Sequence, residues 1–162
     1  MNLRATQALA LALLIAQGCS SGYQRAYDRE TEKLHAQQQA QDARDTAEYA
    51  QASRYAAVVY FDTGSAVVGS DGERELQWFV NQMQPYPKAH ILVQGFADST
   101  GGEDKNKTLS EDRAHAVAAV LGAKGIDASR IEARGYGTDS PAAPNVTPKG
   151  RNRNRRVEVT VR

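Results

Sequence analysis

Hydrophobic and polar positions divide this chain into three stretches. Ala8 to Ala16 is an unbroken apolar run of nine residues. Cys19 to Tyr55 is rich in Gln, Ala and charge, and its apolar positions Tyr23, Tyr27 and Leu34 do not continue as a stripe. From Ala56 onward, apolar residues recur at the steps of strands and helices. Ala57 to Phe61 is a β-branched and aromatic run that predicts a buried strand. Leu76, Phe79, Val80 and Met83 recur at three- and four-residue steps, predicting a helix capped by Ser70 or Asp71 and running through Gln84, where Pro85 and Pro87 stop it. Ala89 to Gly95 predicts a second strand, with Ile91 and Val93 on one face and Leu92 on the other. Ser110 is expected to cap a second helix with a buried stripe of Ala114, Val117, Ala118 and Leu121, closed by Gly125. Ile131 to Tyr136 predicts a third strand, Pro141 to Pro148 a loop, and the alternation of Val157 to Val161 a last strand. The order β-α-β-α-β-β predicts an α/β (α+β) two-layer sandwich with helices on one face of a mixed sheet.

The first two stretches have their own physical reading. Nine apolar residues are too few for a membrane-spanning helix, which needs about 20, but they suit the apolar region of a secretory signal peptide over residues 1–18. The run ends in I-A-Q-G-C-S-S, which contains the chain's only cysteine, Cys19. A lone cysteine forms no internal disulfide and is free, intermolecular or modified. The segment resembles the lipobox of bacterial lipoproteins, although Ala16 and Gln17 depart from its usual residues; the alternative is an ordinary signal peptide with an incidental thiol. Acylation of Cys19 would anchor the chain, each buried CH2 contributing about 0.8 kcal/mol, and Ser20 resembles the residue of lipoproteins sorted to the outer membrane. Residues 19–55 read as a helical or flexible stalk, with a short oligomerising helix as the alternative. Residues 56–162 form the expected domain.

Charge excludes some partners. The formal net charge is +1, so no overall field recruits nucleic acid. The six cations between Lys149 and Arg162, against Glu158 alone, read as a solvated rim in which Arg151, Arg153 and Arg156 face water.

The candidate chemistry lies between Gly95 and Ala114, G-F-A-D-S-T-G-G-E-D-K-N-K-T-L-S-E-D-R-A. Asp98 stands just past a predicted strand and Arg113 in the first turn of the next predicted helix, with a glycine-containing loop that lets the chain fold back. One carboxylate and one guanidinium facing the same small ligand suit a zwitterion better than a reaction. From spacing alone, a structural ion pair or a pair of caps is the plainer reading. No phosphate-binding glycine motif occurs. The acidic loop lacks the calcium pattern, with Leu109 where a glutamate belongs, and His35, His90 and His115 show no metal spacing. No cofactor, metal site or catalytic constellation is expected, and an enzyme is the weak reading.

In order, F-D-T-G-S (61–65), G-F-A-D-S-T-G (95–101), N-x-x-L-S-x-x-R-A (106–114), G-I-x-x-x-R-I (125–131), G-Y-G (135–137) and G-R-N-R-N-R-R-V-E (150–158) resemble the OmpA-like periplasmic domain, a family that includes the peptidoglycan-associated lipoproteins. Phe96-Ala97 stands where the family commonly has His-Thr. The resemblance implies non-covalent binding of peptidoglycan through the diaminopimelate of its stem peptide. Asp98 would accept from the ammonium and Arg113 would grip the carboxylate. Asn106 would fix the loop or touch the stem, Arg155 would add a cation at the pocket wall, and Asp62 would sit on the same rim. The expected role is an outer-membrane lipoprotein facing the periplasm and tethering the membrane to the wall. The alternative is a regulatory lipoprotein with a periplasmic protein partner and secondary wall binding.

Overall fold

The computed structural model describes residues 21–162; the expected signal segment and Cys19 lie outside the described residues. The chain divides at Arg44 into two units. In the first, helix α1 (Ser21–Ala52) begins, and it continues into the second. Its residues are strong helix formers without proline, supported by four-residue pairs such as Gln24 to Asp28 and Gln38 to Asp42. Tyr23, Tyr27 and Leu34 stay exposed, as the missing stripe predicts. Among the described residues no helix is long and apolar enough to cross a membrane.

The second unit is built on a four-stranded sheet of β1 (Ala56–Tyr60), β2 (Ile91–Gly95), β3 (Ile131–Gly135) and β4 (Arg156–Val161), in the order β1-β4-β2-β3. β4 runs antiparallel to both β1 and β2, while β2 and β3 are parallel. Parallel neighbours need a long crossover, which helix α3 (Glu103–Ala123) supplies; helix α2 (Ser70–Met83) links β1 to β2. Alternation assigns the faces. Ala57, Val59, Ile91, Val93, Val157, Val159 and Val161 point to the buried side, where Leu76, Phe79, Val80 and Met83 of α2 and Ala114, Val117 and Leu121 of α3 complete the core. Val58 and Tyr60 on the other side of β1 are exposed, so the helices cover one face of a mixed sheet.

Three local expectations are corrected. α2 is capped by Gly69, with no side-chain cap bond, and ends one residue early, at Met83. α3 starts at Glu103 rather than after Ser110. Its first two turns carry mainly polar, exposed residues, so no apolar periodicity marked them as helix. Glu103 and Asp104 nonetheless favour a helix start by opposing the dipole. Ser110 is therefore inside the helix and buried; its hydroxyl donates to the Lys107 carbonyl and accepts from the Gly137 N–H. Third, the basic stretch before β4 folds as a short helix, α4 (Pro148–Asn154). Thr147 caps it by accepting from the Gly150 N–H, and Pro148 occupies its first turn.

α3 lies close on the sheet. A Cβ on Gly95 would collide with the Ser110 carbonyl oxygen, so a side chain at the end of β2 would hold the helix off. This contact helps set where Arg113, one turn beyond Ser110, meets the ends of β1 and β2.

Candidate functional site

The C-terminal ends of β1 and β2, the middle of α3 and the end of α4 converge on one point. Arg113 is not in the first turn of its helix but at its centre, and it is fully buried. Its Nε donates to the Ser65 carbonyl (2.8 Å), Nη1 to the Phe96 carbonyl (3.0 Å) and Nη2 to the Asp62 carbonyl (3.1 Å). The guanidinium also lies 5.2 Å from the centre of the Phe61 ring. Burial, and then the charge of Arg155, lower its pKa to about 10, with Asp98 pulling the other way. It stays protonated at neutral pH. Three of its five N–H groups thus tie the turn after β1 and the end of β2 to α3, and one on each terminal nitrogen remains.

Asp98 pairs with Arg155, not with Arg113. Arg155 Nη1 donates to Asp98 Oδ2 at 2.8 Å, Nε to the Phe61 carbonyl at 2.9 Å and Nη2 to Asn152 Oδ1. The Thr100 N–H donates to Asp98 Oδ1 at 2.8 Å. Burial pushes the Asp98 carboxyl up, but the hydrogen bonds from Arg155 and Thr100 and the Arg155 charge outweigh it, holding the pKa below the usual 3.8. A carboxyl whose pKa is lower in the folded chain stabilises the fold above the unfolded value and loses that contribution as pH falls through the folded one. The urea midpoint is therefore expected to drop below about pH 4, and less steeply in Asp98→Asn. Equal acid slopes in the two proteins would contradict this.

Asp62 joins the site first through its backbone. Its carbonyl accepts from Arg113 and from the Ser65 N–H, in a turn where Gly64 has φ +70°. Its exposed carboxylate, with Tyr60, Phe61, Lys149, Asn152, Arg153 and Arg155, borders a cavity of about 350 Å³. Asn106 sits in the first turn of α3, buried, and its side-chain amide makes no hydrogen bond among the described residues. The structure thus brings Asp98, Arg113, Arg155 and Asp62 together, with Asn106 at the start of the same helix.

The basic stretch is more differentiated than a solvated rim. Arg156 is buried, its guanidinium 4.0 Å from the centre of the Phe96 ring and its Nε on Glu158. Phe96 stacks in turn on Tyr136 at 5.5 Å. Arg151 is half-buried and donates to the Asn145 carbonyl. Only Arg153 of the three is exposed. Lys149, Asn152 and Arg153 border the cavity because α4 exists; the T-P-K-G signature of a capped helix start was the signal for it.

A family model described as "OmpA family" matches residues 60–155. The chain belongs to the OmpA family. It is 44% identical over 103 residues to the probable lipoprotein YiaD of Escherichia coli, covering 64% of this chain and 47% of that protein. It is 36% identical over 104 residues to the peptidoglycan-binding protein ArfA of Mycobacterium tuberculosis, covering 64% of this chain and 32% of ArfA. The chain therefore spans half or less of these relatives' length. Among solved structures, the peptidoglycan-associated lipoprotein of Burkholderia pseudomallei aligns with a TM-score of 0.63 and 30% identity, over 65% of this chain and 90% of that one. All of the converging residues lie within this OmpA-family domain.

Proposed function

We propose that this OmpA-family domain binds peptidoglycan non-covalently through the zwitterionic end of diaminopimelate, and that a lipid on Cys19 tethers it to the outer membrane. The observation that carries the reading is the convergence of one buried carboxylate, Asp98, with two guanidiniums, Arg113 and Arg155. The names of ArfA and of the Burkholderia lipoprotein support it.

The bonding suggests how the work divides. The Asp98 carboxylate accepts from Arg155 and Thr100 and, with about four lone-pair sites on its two oxygens, keeps acceptor capacity for a ligand ammonium. Of the two guanidiniums, Arg155 is the one that borders the cavity and can meet a ligand carboxylate there. Arg113, out of contact with solvent, holds the carbonyls in place and reaches a ligand only after local opening. Asp62 adds an exposed acceptor on the rim for the ammonium, and Asn106 supplies an unused amide near the loop. The low dielectric of the site strengthens such charge-assisted bonds.

Sedimentation with purified peptidoglycan tests the site. A charged hydrogen bond contributes about 1.5–3 kcal/mol, so Asp98→Asn is expected to weaken retention about 10- to 100-fold while circular dichroism stays native-like. Native retention by a folded Asp98→Asn protein would remove the assignment. Mass spectrometry of the mature N-terminus tests acylation of Cys19 separately.

A further inference from the structure

The cavity beside the Asp98–Arg155 pair carries more positive charge than a zwitterion uses. Its border holds Lys149, Arg153 and Arg155 against Asp62. Asp98 neutralises Arg155, so Lys149 and Arg153 remain against Asp62, an excess of one cation. The ammonium and carboxylate of a bound zwitterion cancel each other and leave that excess in place. Neither Lys149 nor Arg153 makes a side-chain hydrogen bond or ion pair among the described residues, and the same holds for the Asp62 carboxylate.

These cations are held on a fixed platform. Lys149 and Arg153 are four residues apart on α4 and share one of its faces. The helix is locked from behind. Gly150 packs so tightly on the Pro144 carbonyl that no Cβ fits, and buried Asn154 exchanges hydrogen bonds with Ala143 in both directions and donates to Asn145 Oδ1. Arg155, directly after α4, ties its end to Phe61 and Asp98. A helix tethered this way keeps both free cations on the wall of a cavity whose volume falls within the range of about 300–1,000 Å³ ordinary for small-molecule sites.

We infer that Lys149 and Arg153 form a second anion subsite, which takes a further carboxylate on the peptide whose diaminopimelate occupies the Asp98–Arg155 site. This inference rests on the wall-binding reading. The domain thereby distinguishes stem peptides by the acid or amide state of a residue next to diaminopimelate. Two carboxylates have this chemistry: the α-carboxylate of the preceding γ-linked glutamate, and the C-terminal carboxylate of a following alanine.

Titration calorimetry with four synthetic ligands tests it: diaminopimelate alone, the tetrapeptide Ala-γ-Glu-diaminopimelate-Ala with both acids free, and the same peptide amidated at either position. Exposed ion pairs contribute modestly, so amidation at one of the two positions is expected to weaken native binding about fivefold, less at high salt. The position that responds identifies the source. In the double variant Lys149→Gln/Arg153→Gln, acid and amide peptides should bind alike, while diaminopimelate alone binds as it does to the native protein. Equal binding of all three peptides by the native chain, or a preference that survives in the double variant, overturns the subsite. Failure of diaminopimelate alone to bind, with the acid preference intact and lost in the double variant, overturns the Asp98–Arg155 reading instead and leaves the anion subsite standing. No binding of any ligand overturns both.

Discussion

Arg113→Ala is expected to lose about 4 kcal/mol of folding stability, making it a poor probe of ligand contact. The side chain is fully buried and supplies donors to the carbonyls of Ser65, Phe96 and Asp62. A buried acceptor left without its partner costs about 1–3 kcal/mol, and the truncation also opens a cavity beneath Phe61. Against a total stability of about 5–15 kcal/mol for a domain, the variant should unfold well below the native urea midpoint. Arg113→Lys should fall between, because an ammonium cannot span three carbonyls set by a planar fork. A variant within 1 kcal/mol of the native chain, with wall binding lost, would show that Arg113 serves the ligand and not the fold.

Gly95→Ala should be nearly as damaging, for a steric reason. The new Cβ would overlap the Ser110 carbonyl and approach the Ala114 Cβ to 3.3 Å. Both belong to the middle of α3, where the backbone cannot yield without lifting the helix from the sheet. Overpacking of this kind costs about 1–3 kcal/mol and occasionally more. Because Arg113 rides on the same turn, peptidoglycan retention should fall with stability. The control is Gly122→Ala in the exposed last turn of α3. A Cβ there meets nothing within 4 Å, and removing a helical glycine stabilises by about 0.5–1 kcal/mol. A Gly95→Ala protein as stable as Gly122→Ala would refute the close packing of α3 on β2.

Much of the fold was legible because its signals are local. The valines of β4 and the Leu76–Phe79–Val80–Met83 stripe each announce an element and its buried face within a few residues. Where polar residues form structure without a buried stripe, the signal fails. The first two turns of α3 are such a place, and reading them as loop put Arg113 in the wrong part of its helix. α4 is another: seven residues with three cations lack an apolar face, and only the Thr147–Pro148 start gives the helix away. The rim reading of Arg156 failed because charge says nothing about burial, and an aromatic neighbour distant in sequence, Phe96, takes its guanidinium.

The amino-acid order alone determined the succession of the four strands and of the two helices that pack on them, the core faces, and, through the family resemblance of its motifs, a small set of candidate residues, Asp62, Asp98, Asn106, Arg113 and Arg155. Tertiary structure alone decided how those charges are bonded. Arg113 is matched with carbonyls 48, 17 and 51 residues away, and Asp98 with an arginine 57 residues away. Carbonyl acceptors are the same at every residue and leave no mark in the sequence. Which of them a buried guanidinium finds depends on where the sheet ends and the helices cross, and only the folded chain specifies that.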